Sequence, residues 1–307
     1  MKYVCRWFLL PLLGASTLAA AQTTATPTPS SPTVPAPATA SALLARLLDT
    51  DTAPAVRQQI FADAEQRARA GDTQWQYVVG SLLNEQDPPA PLHSNPQQAL
   101  IYLSQAGSHG KILAMAKMAE SELAAGNAQE AMDWAQIYAH YQTLQPADQR
   151  PSLDYLSELV ARITDKLDAS QWPKIQADVD AFIAQHDADI RQGPRTLEHA
   201  AEPPVQPTMG TRLRRTSSDW LRGLSRPRSS FADCLIAFRP DGSIDKLWVI
   251  DVLPDSRATE MLHDAAIGAK LPAVADGDAT RYAMISVIYD DGRYHVRNGR
   301  ITSGHDL

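Results

Sequence analysis

Side chains able to do chemistry are plentiful in this chain, but few stand at the spacings that chemistry requires. Eight histidines are scattered over 307 residues. None falls in an H-E-x-x-H pattern, which would put two imidazoles and a general base on one helix face. There is no C-x-x-C pair, no G-x-S-x-G nucleophile turn and no glycine-rich phosphate loop. Asp276-Gly277-Asp278 offers two carboxylates in one short loop, too few for the roughly six to eight oxygens that calcium takes, so a plain turn is expected. His263 lies beside the apolar stripe of a helical segment and reads as a half-exposed structural histidine. Glu120, Glu122 and Glu130 fall on helical segments, where solvated positions are expected. A cell-wall or hydrolytic enzyme would need acid and base groups converging from separate segments, for instance Asp251, His263 and Glu260. The residues favour a non-enzyme with no cofactor and no metal.

The N-terminus bears on the compartment. Lys2 and Arg6 precede an apolar stretch from Trp7 to Leu13 and on toward Leu18, closed by Ala19-Ala20-Ala21, small residues that suit a signal peptidase. Residues 1–21 are expected to be a signal peptide cleaved before Gln22. The stretch falls short of the ~20 apolar residues that span a bilayer, which disfavours an uncleaved anchor. Cleavage removes Cys5 and leaves Cys234 as the one cysteine of the mature chain, so no intramolecular disulfide forms in an oxidising compartment. Cys234 opens the apolar run CLIAF, and a buried, inert thiol is expected there.

Composition then divides the chain. Residues 22–40, rich in Pro, Thr, Ala and Ser and free of charge, cannot bury enough surface to fold and read as a disordered tether. Residues 41–193 show helical periodicity and an internal echo. Asn95-Pro-Gln-Gln-Ala99-Leu-Ile-Tyr102 matches Asn127-Ala-Gln-Glu-Ala131-Met-Asp-Trp134. Upstream, Gly71-x3-Trp75-x3-Val79-Gly80 matches Gly110-x3-Ala114-x3-Met118-Ala119, with an insertion in NEQDPPAPLHS lengthening the first copy. Paired helices repeating every 30–40 residues mark an α-solenoid. Small residues at Gly80, Ala99, Ala119 and Ala131 allow close helix approach, and Tyr102 and Trp134 fill the groove between neighbours. Over residues 70–142 the chain resembles Sel1-like repeats of the tetratricopeptide family, and further helices are expected at 151–167 and 169–190.

Charge separates the rest. Residues 41–193 hold 11 basic and 20 acidic residues, and residues 231–307 hold 8 and 12. The Pro/Arg-rich linker at 194–230 holds 7 and 3, including Arg212, Arg214, Arg215, Arg222, Arg226 and Arg228. A basic linker thus joins two acidic domains. Nucleic-acid binding fits an exported acidic protein poorly. Attraction to an anionic membrane surface remains open, because Trp220, Leu221 and Leu224 interleave the charges. So does docking onto the acidic domains.

From Phe231 the pattern is strand, turn, strand, helix, strand. Leu235 to Phe238 leads into the turn Pro240-Asp241-Gly242, and Leu247 to Leu253 follows. Asp255 or Ser256 caps a helix with Ala258, Met261, Leu262, Ala265 and Ala269 on one stripe, closed by Lys270 and Pro272. Arg281 to Tyr289 is the third strand. Asp241, Gly242, Ile244, Val249, Leu262, Ala265, Ala266, Pro272 and Gly277 give this region a resemblance to the C-terminal domain of TonB. That resemblance implies a periplasmic β-β-α-β module that reads extended segments of outer-membrane receptors by adding a strand at a sheet edge. The family's uncleaved N-terminal helix and the tyrosine-proline pair usual before its first strand are missing here, so force transduction does not follow.

The expected fold is multidomain α plus α+β, an α-solenoid of helix hairpins followed by a small TonB-like β-β-α-β domain. The expected function is a periplasmic protein–protein interaction adaptor, with a TonB-like accessory of receptor transport as the alternative. Tyr102 and Trp134 on the helices, and Trp248, Ile250, Arg281, Tyr282 and Met284 on the strands, are the residues expected to meet partners. Those partners are envelope proteins or extended peptide segments. Strands apolar on both faces, with Trp248, Ile250 and Val252 against Leu247 and Val249, leave one face that a single helix cannot cover. A second copy or the repeat domain must bury it.

Overall fold

Short apolar stripes set off by capping residues fold the N-terminal part into helices. The computed structural model describes residues 39–85, 88, 90–145, 153–194, 207–208, 227–274, 280–289, 291, 294–297 and 300–303. Helix α1 (Ala40–Leu48) begins where the Thr39 hydroxyl accepts from the Ala42 amide. Helix α2 (Pro54–Arg69) starts on a proline, which suits the first helical position. Asp72 caps α3 (Thr73–Asn84), accepting from the Trp75 amide at 3.0 Å. Asn95 caps α4 (Pro96–Ser108), and Gly126 closes α5 (Ile112–Ala125) in the left-handed conformation. Then follow α6 (Ala128–Leu144), α7 (Leu153–Thr164) and α8 (Trp172–Gln192), the last entered through a 3₁₀ turn capped by Asp168.

The sequence echo falls on two helix hairpins, α3 with α4 and α5 with α6, which pack closely along their lengths. A Cβ added at Gly80 would lie 2.9 Å from Leu103 Cγ, so α3 meets α4 at a separation that favours glycine. Among the described residues no helix is long and apolar enough to cross a membrane.

The C-terminal part is an antiparallel sheet of β1 (Ser230–Phe238), β2 (Ile244–Leu253) and β3 (Arg281–Tyr289), in the order β2-β1-β3. Gly242 in the β1–β2 turn has φ +85°, and a Cβ there would sit 1.9 Å from the Leu271 carbonyl oxygen. Its lack of a side chain is required twice over. Asp255 caps a 3₁₀ turn leading into α9 (Thr259–Ile267). This helix stops short of the expected close at Lys270. The reason is tertiary: the Lys270 backbone exchanges both hydrogen bonds with Thr208, and the Leu271 amide donates to Gly242. A second hairpin, β4 (Tyr294–Arg297) with β5 (Arg300–Ser303), packs on α7.

Both faces of the sheet are covered within the chain. On one, Ala232, Cys234, Ile236 and Phe238 pack with Leu262 and Ala266 of α9. On the other, Leu235 and Ile250, with Trp248, Tyr282 and Met284 beside them, join a core built by α1–α4. Phe231 joins the core of α5–α8, meeting the Tyr155 ring edge-on. The register explains an exception to strict alternation. Asp233 pairs with Asp251 but Cys234 pairs with Val249, which leaves Ile250 as an extra residue in β2. Such a bulge flips every side chain beyond it. Val252, expected on the Trp248 face, instead packs with the α9 core, and Asp251 turns to the helices. The protein is mostly helical with a small antiparallel sheet, and residues 38–307 form one unit.

Candidate functional site

The bulge creates the molecule's most unusual electrostatics. It sets Asp233 and Asp251 side by side across β1 and β2, on the face that meets the helices. Like charges directly opposite on a sheet repel, and Lys117 of α5 stands between them. Its Nζ lies 2.6 Å from Asp233 Oδ2 and 2.5 Å from Asp251 Oδ2. A third bond, at 2.6 Å, goes to Ser81 Oγ on α3. Tyr77 on α3 donates its hydroxyl to Asp233 Oδ2, and Ser286 on β3 donates to Asp233 Oδ1. The side chains of Lys117 and Asp233 are both 0% exposed.

Burial opposes each charge here, and the neighbours decide the outcome. For Lys117, burial is outweighed by the two carboxylates, which hold the ammonium above its ordinary range. For Asp233, burial is outweighed by Lys117 and by hydrogen bonds from Ser286 and Tyr77, so its carboxyl titrates below the usual value. For Asp251, burial and the Asp233 charge win over Lys117 and push the carboxyl up. Burial, with the two carboxylates beside it, raises the Tyr77 phenol well above its ordinary range. Lys117 and Lys111 lie 4.3 and 4.5 Å from the centre of the Tyr77 ring. Burial lowers the Lys111 ammonium, opposed by the Asp233 charge.

Chemically, the cluster is an orienting device. The side chains of Lys117, Asp233 and Asp251 are at most 2% exposed, and with Tyr77, Ser81 and Ser286 they join α3, α5, β1, β2 and β3 through directional bonds. A second network repeats the logic nearby. Glu120 on α5 is 3% exposed and accepts from Arg162 Nη1 at 2.9 Å and Nη2 at 2.5 Å. Tyr155 also donates to Glu120, at 2.8 Å. Glu158 on α7 accepts from the Ser229 amide at the start of β1. At the rim, Lys246 of β2 reaches Asp49 at 2.8 Å, and the Val252 amide donates to Glu85.

The sequence-selected residues fall as follows. Tyr102 and Ile250 are buried in the α1–α4 core, with Trp248, Tyr282 and Met284 packed against it. Trp134 packs edge-on against Phe182 of α8. The Arg281 guanidinium donates to the carbonyls of Arg239 and Pro240. The apolar sheet face that called for either a second copy or the repeat domain is covered by the helices. Glu120 is not solvated as expected, because it faces Arg162 and Tyr155 on α7. Asp251, His263 and Glu260 do not converge, because the sheet separates Asp251 from α9. Cys234 is buried, and burial, with Asp233 and Asp251, pushes its thiol up to about 12. Arg228 is exposed, while Arg212, Arg214, Arg215, Arg222, Arg226 and the Asp276-Gly277-Asp278 loop lie outside the described residues. Among the described residues no cluster of His, Cys, Asp and Glu could hold a metal ion.

Sequence reasoning missed Lys117, Asp233, Tyr77 and Ser286. The available signal was charge out of place: Lys117 inside the alanine- and methionine-rich LAMAKMAE, and aspartates interrupting two apolar strands. Comparison with family models, with curated proteins and with solved structures finds no match for this chain. Fold and site together define a class, a helical-hairpin protein locked by buried ion pairs onto a small antiparallel sheet.

Proposed function

We propose that the protein is an exported protein–protein adaptor of the cell envelope, built from Sel1-like helix hairpins and a TonB-like module. It recognises an extended peptide by adding it as a strand to the outer side of β3. One observation carries this reading. Both faces of the three-stranded sheet are covered, and on the β2 edge the Val252 amide is engaged by Glu85, while over residues 283–287 no strand pairs with the outer side of β3 among the described residues. A sheet edge is a template for another strand. The helices hold the module rigid, so the cost of ordering falls on the peptide.

The test is selection of displayed peptides against the full chain, followed by hydrogen exchange of the complex. The expected result is slowed exchange within residues 283–287 on adding a selected peptide. Failure of any peptide to enrich, or protection confined to other elements, overturns the proposal.

A further inference from the structure

Lys111 is the cation that the buried cluster leaves over. Lys117 serves both Asp233 and Asp251, whereas the Lys111 ammonium has no hydrogen bond or ion pair among the described residues and rests against the Tyr77 ring at 4.5 Å. It is half-buried and stands at the N-cap of α5 without a side-chain bond, where the helix dipole adds to the cost of a positive charge. An ammonium drawn part-way out of water without a partner carries a penalty that a bound carboxylate relieves.

The ring fixes which way Lys111 looks. It lies six residues before Lys117, about 9 Å along α5. That is close to the two ring distances of 4.5 and 4.3 Å laid end to end, so the two ammoniums bracket Tyr77. Lys117 takes the side of Asp251 on β2. Lys111 therefore takes the opposite side, where Tyr77 and Leu113 pack with Met284 of β3. Beyond Met284 the helices leave Ser286 exposed, although its hydroxyl reaches Asp233. The helical layer thus stops at the middle of the open β3 edge.

We propose that the peptide added at β3 carries an aspartate or glutamate opposite Ser286, and that its carboxylate pairs with Lys111. Such a pairing rests on strand addition at β3 and specifies the chemistry of the peptide. Residues directly opposite on paired strands share a face, so the acidic side chain lies on the helix face with Ser286. The residues flanking it lie with Ala283, Ile285 and Val287, which pack in the α9 core and call for apolar partners. Arg281, at the start of β3, is already spent on the carbonyls of Arg239 and Pro240. Ser286 stands inside the open stretch, so the peptide backbone continues past it and a side chain, not a chain terminus, supplies the charge.

The test is calorimetric titration of the full chain with selected peptides that slow exchange at residues 283–287, synthesised with amidated C-termini. Two changes are combined in a cycle, the peptide's acidic residue to its amide and Lys111→Met in the protein. The amide should weaken binding to the unaltered chain about tenfold and should change binding to Lys111→Met little. Methionine keeps the stem and removes an unpaired charge, so urea unfolding should show no loss of stability. The peptide change on the unaltered chain reads the acid requirement without any protein variant. Protecting peptides that lack an acidic residue, or an equal cost of the amide in both proteins, overturn the pairing and leave the β3 reading standing. Binding that requires a free C-terminal carboxylate overturns it as well. If no peptide protects residues 283–287, the β3 reading fails and the pairing fails with it.

Discussion

Replacing Lys117 with methionine keeps most of the apolar stem and removes the charge. Two buried carboxylates are then left facing each other across β1 and β2. Their Oδ2 atoms lie 2.6 and 2.5 Å from the same nitrogen, so they stand no farther apart than the sum of those distances, 5.1 Å. At an effective dielectric of ~20 that separation corresponds to about 3 kcal/mol of repulsion. Breaking a buried ion pair from one side costs about 3–5 kcal/mol, in agreement. Urea unfolding at pH 7, followed by circular dichroism and by tryptophan fluorescence, should show a loss of that size. The two probes should report one transition, because helices and sheet share their cores.

The triple variant Lys117→Met, Asp233→Asn, Asp251→Asn has no stranded charge and should recover most of the loss. The pH dependence has a definite sign. Asp251 already titrates above its unfolded value, so its favourable contribution is full below about 4 and is lost as pH rises through the folded value. Without Lys117 that value rises further, so the deficit of Lys117→Met should shrink as pH falls from 7 to 5. A loss under about 1 kcal/mol, independent of pH, or no recovery in the triple variant would refute the account of the cluster as a charge-compensated lock.

Two further outcomes are expected. Gly242→Ala puts a methyl group 1.9 Å from the Leu271 carbonyl in a left-handed residue. It should lower stability by well over 1 kcal/mol in the same urea assay, whereas Gly80→Ala meets mainly the Leu103 side chain and should cost less. Asp133 is pushed up to about 7 by burial and then by Asp178. Its contribution is therefore lost as pH rises through 7, and Asp133→Asn should flatten the stability profile between pH 5 and 8. The change is of the order of 1 kcal/mol after allowance for partial solvent screening, and is checked by thermal melts across that range.

Much of the local structure was legible because it rests on local rules. The turn at Asp241-Gly242 and the cap at Asp255 follow from residue type and backbone preference, and the same rules explain, though they were not drawn on, the helix starts at Asp72 and Asn95 and the glycine stop at Gly126. The helix hairpins were legible because the echo repeats their packing residues. Other features were overlooked though signalled: Asn298-Gly299 lies between β4 and β5, and such a pair favours a two-residue hairpin turn.

What the sequence alone determined is the inventory of helices and strands, since capping, turn chemistry and apolar periodicity act over a few residues. What only the tertiary structure decided is how those elements meet. An extra residue at Ile250 changes which face Asp251 occupies, and no period-2 reading reveals that. Lys117 and Asp233 are 116 residues apart, and their partnership exists because α5 and the sheet share one core. A charge inside an apolar run is visible in sequence. The identity of the opposite charge is a property of packing, because electrostatic pairing depends on distance through space and on exclusion of water.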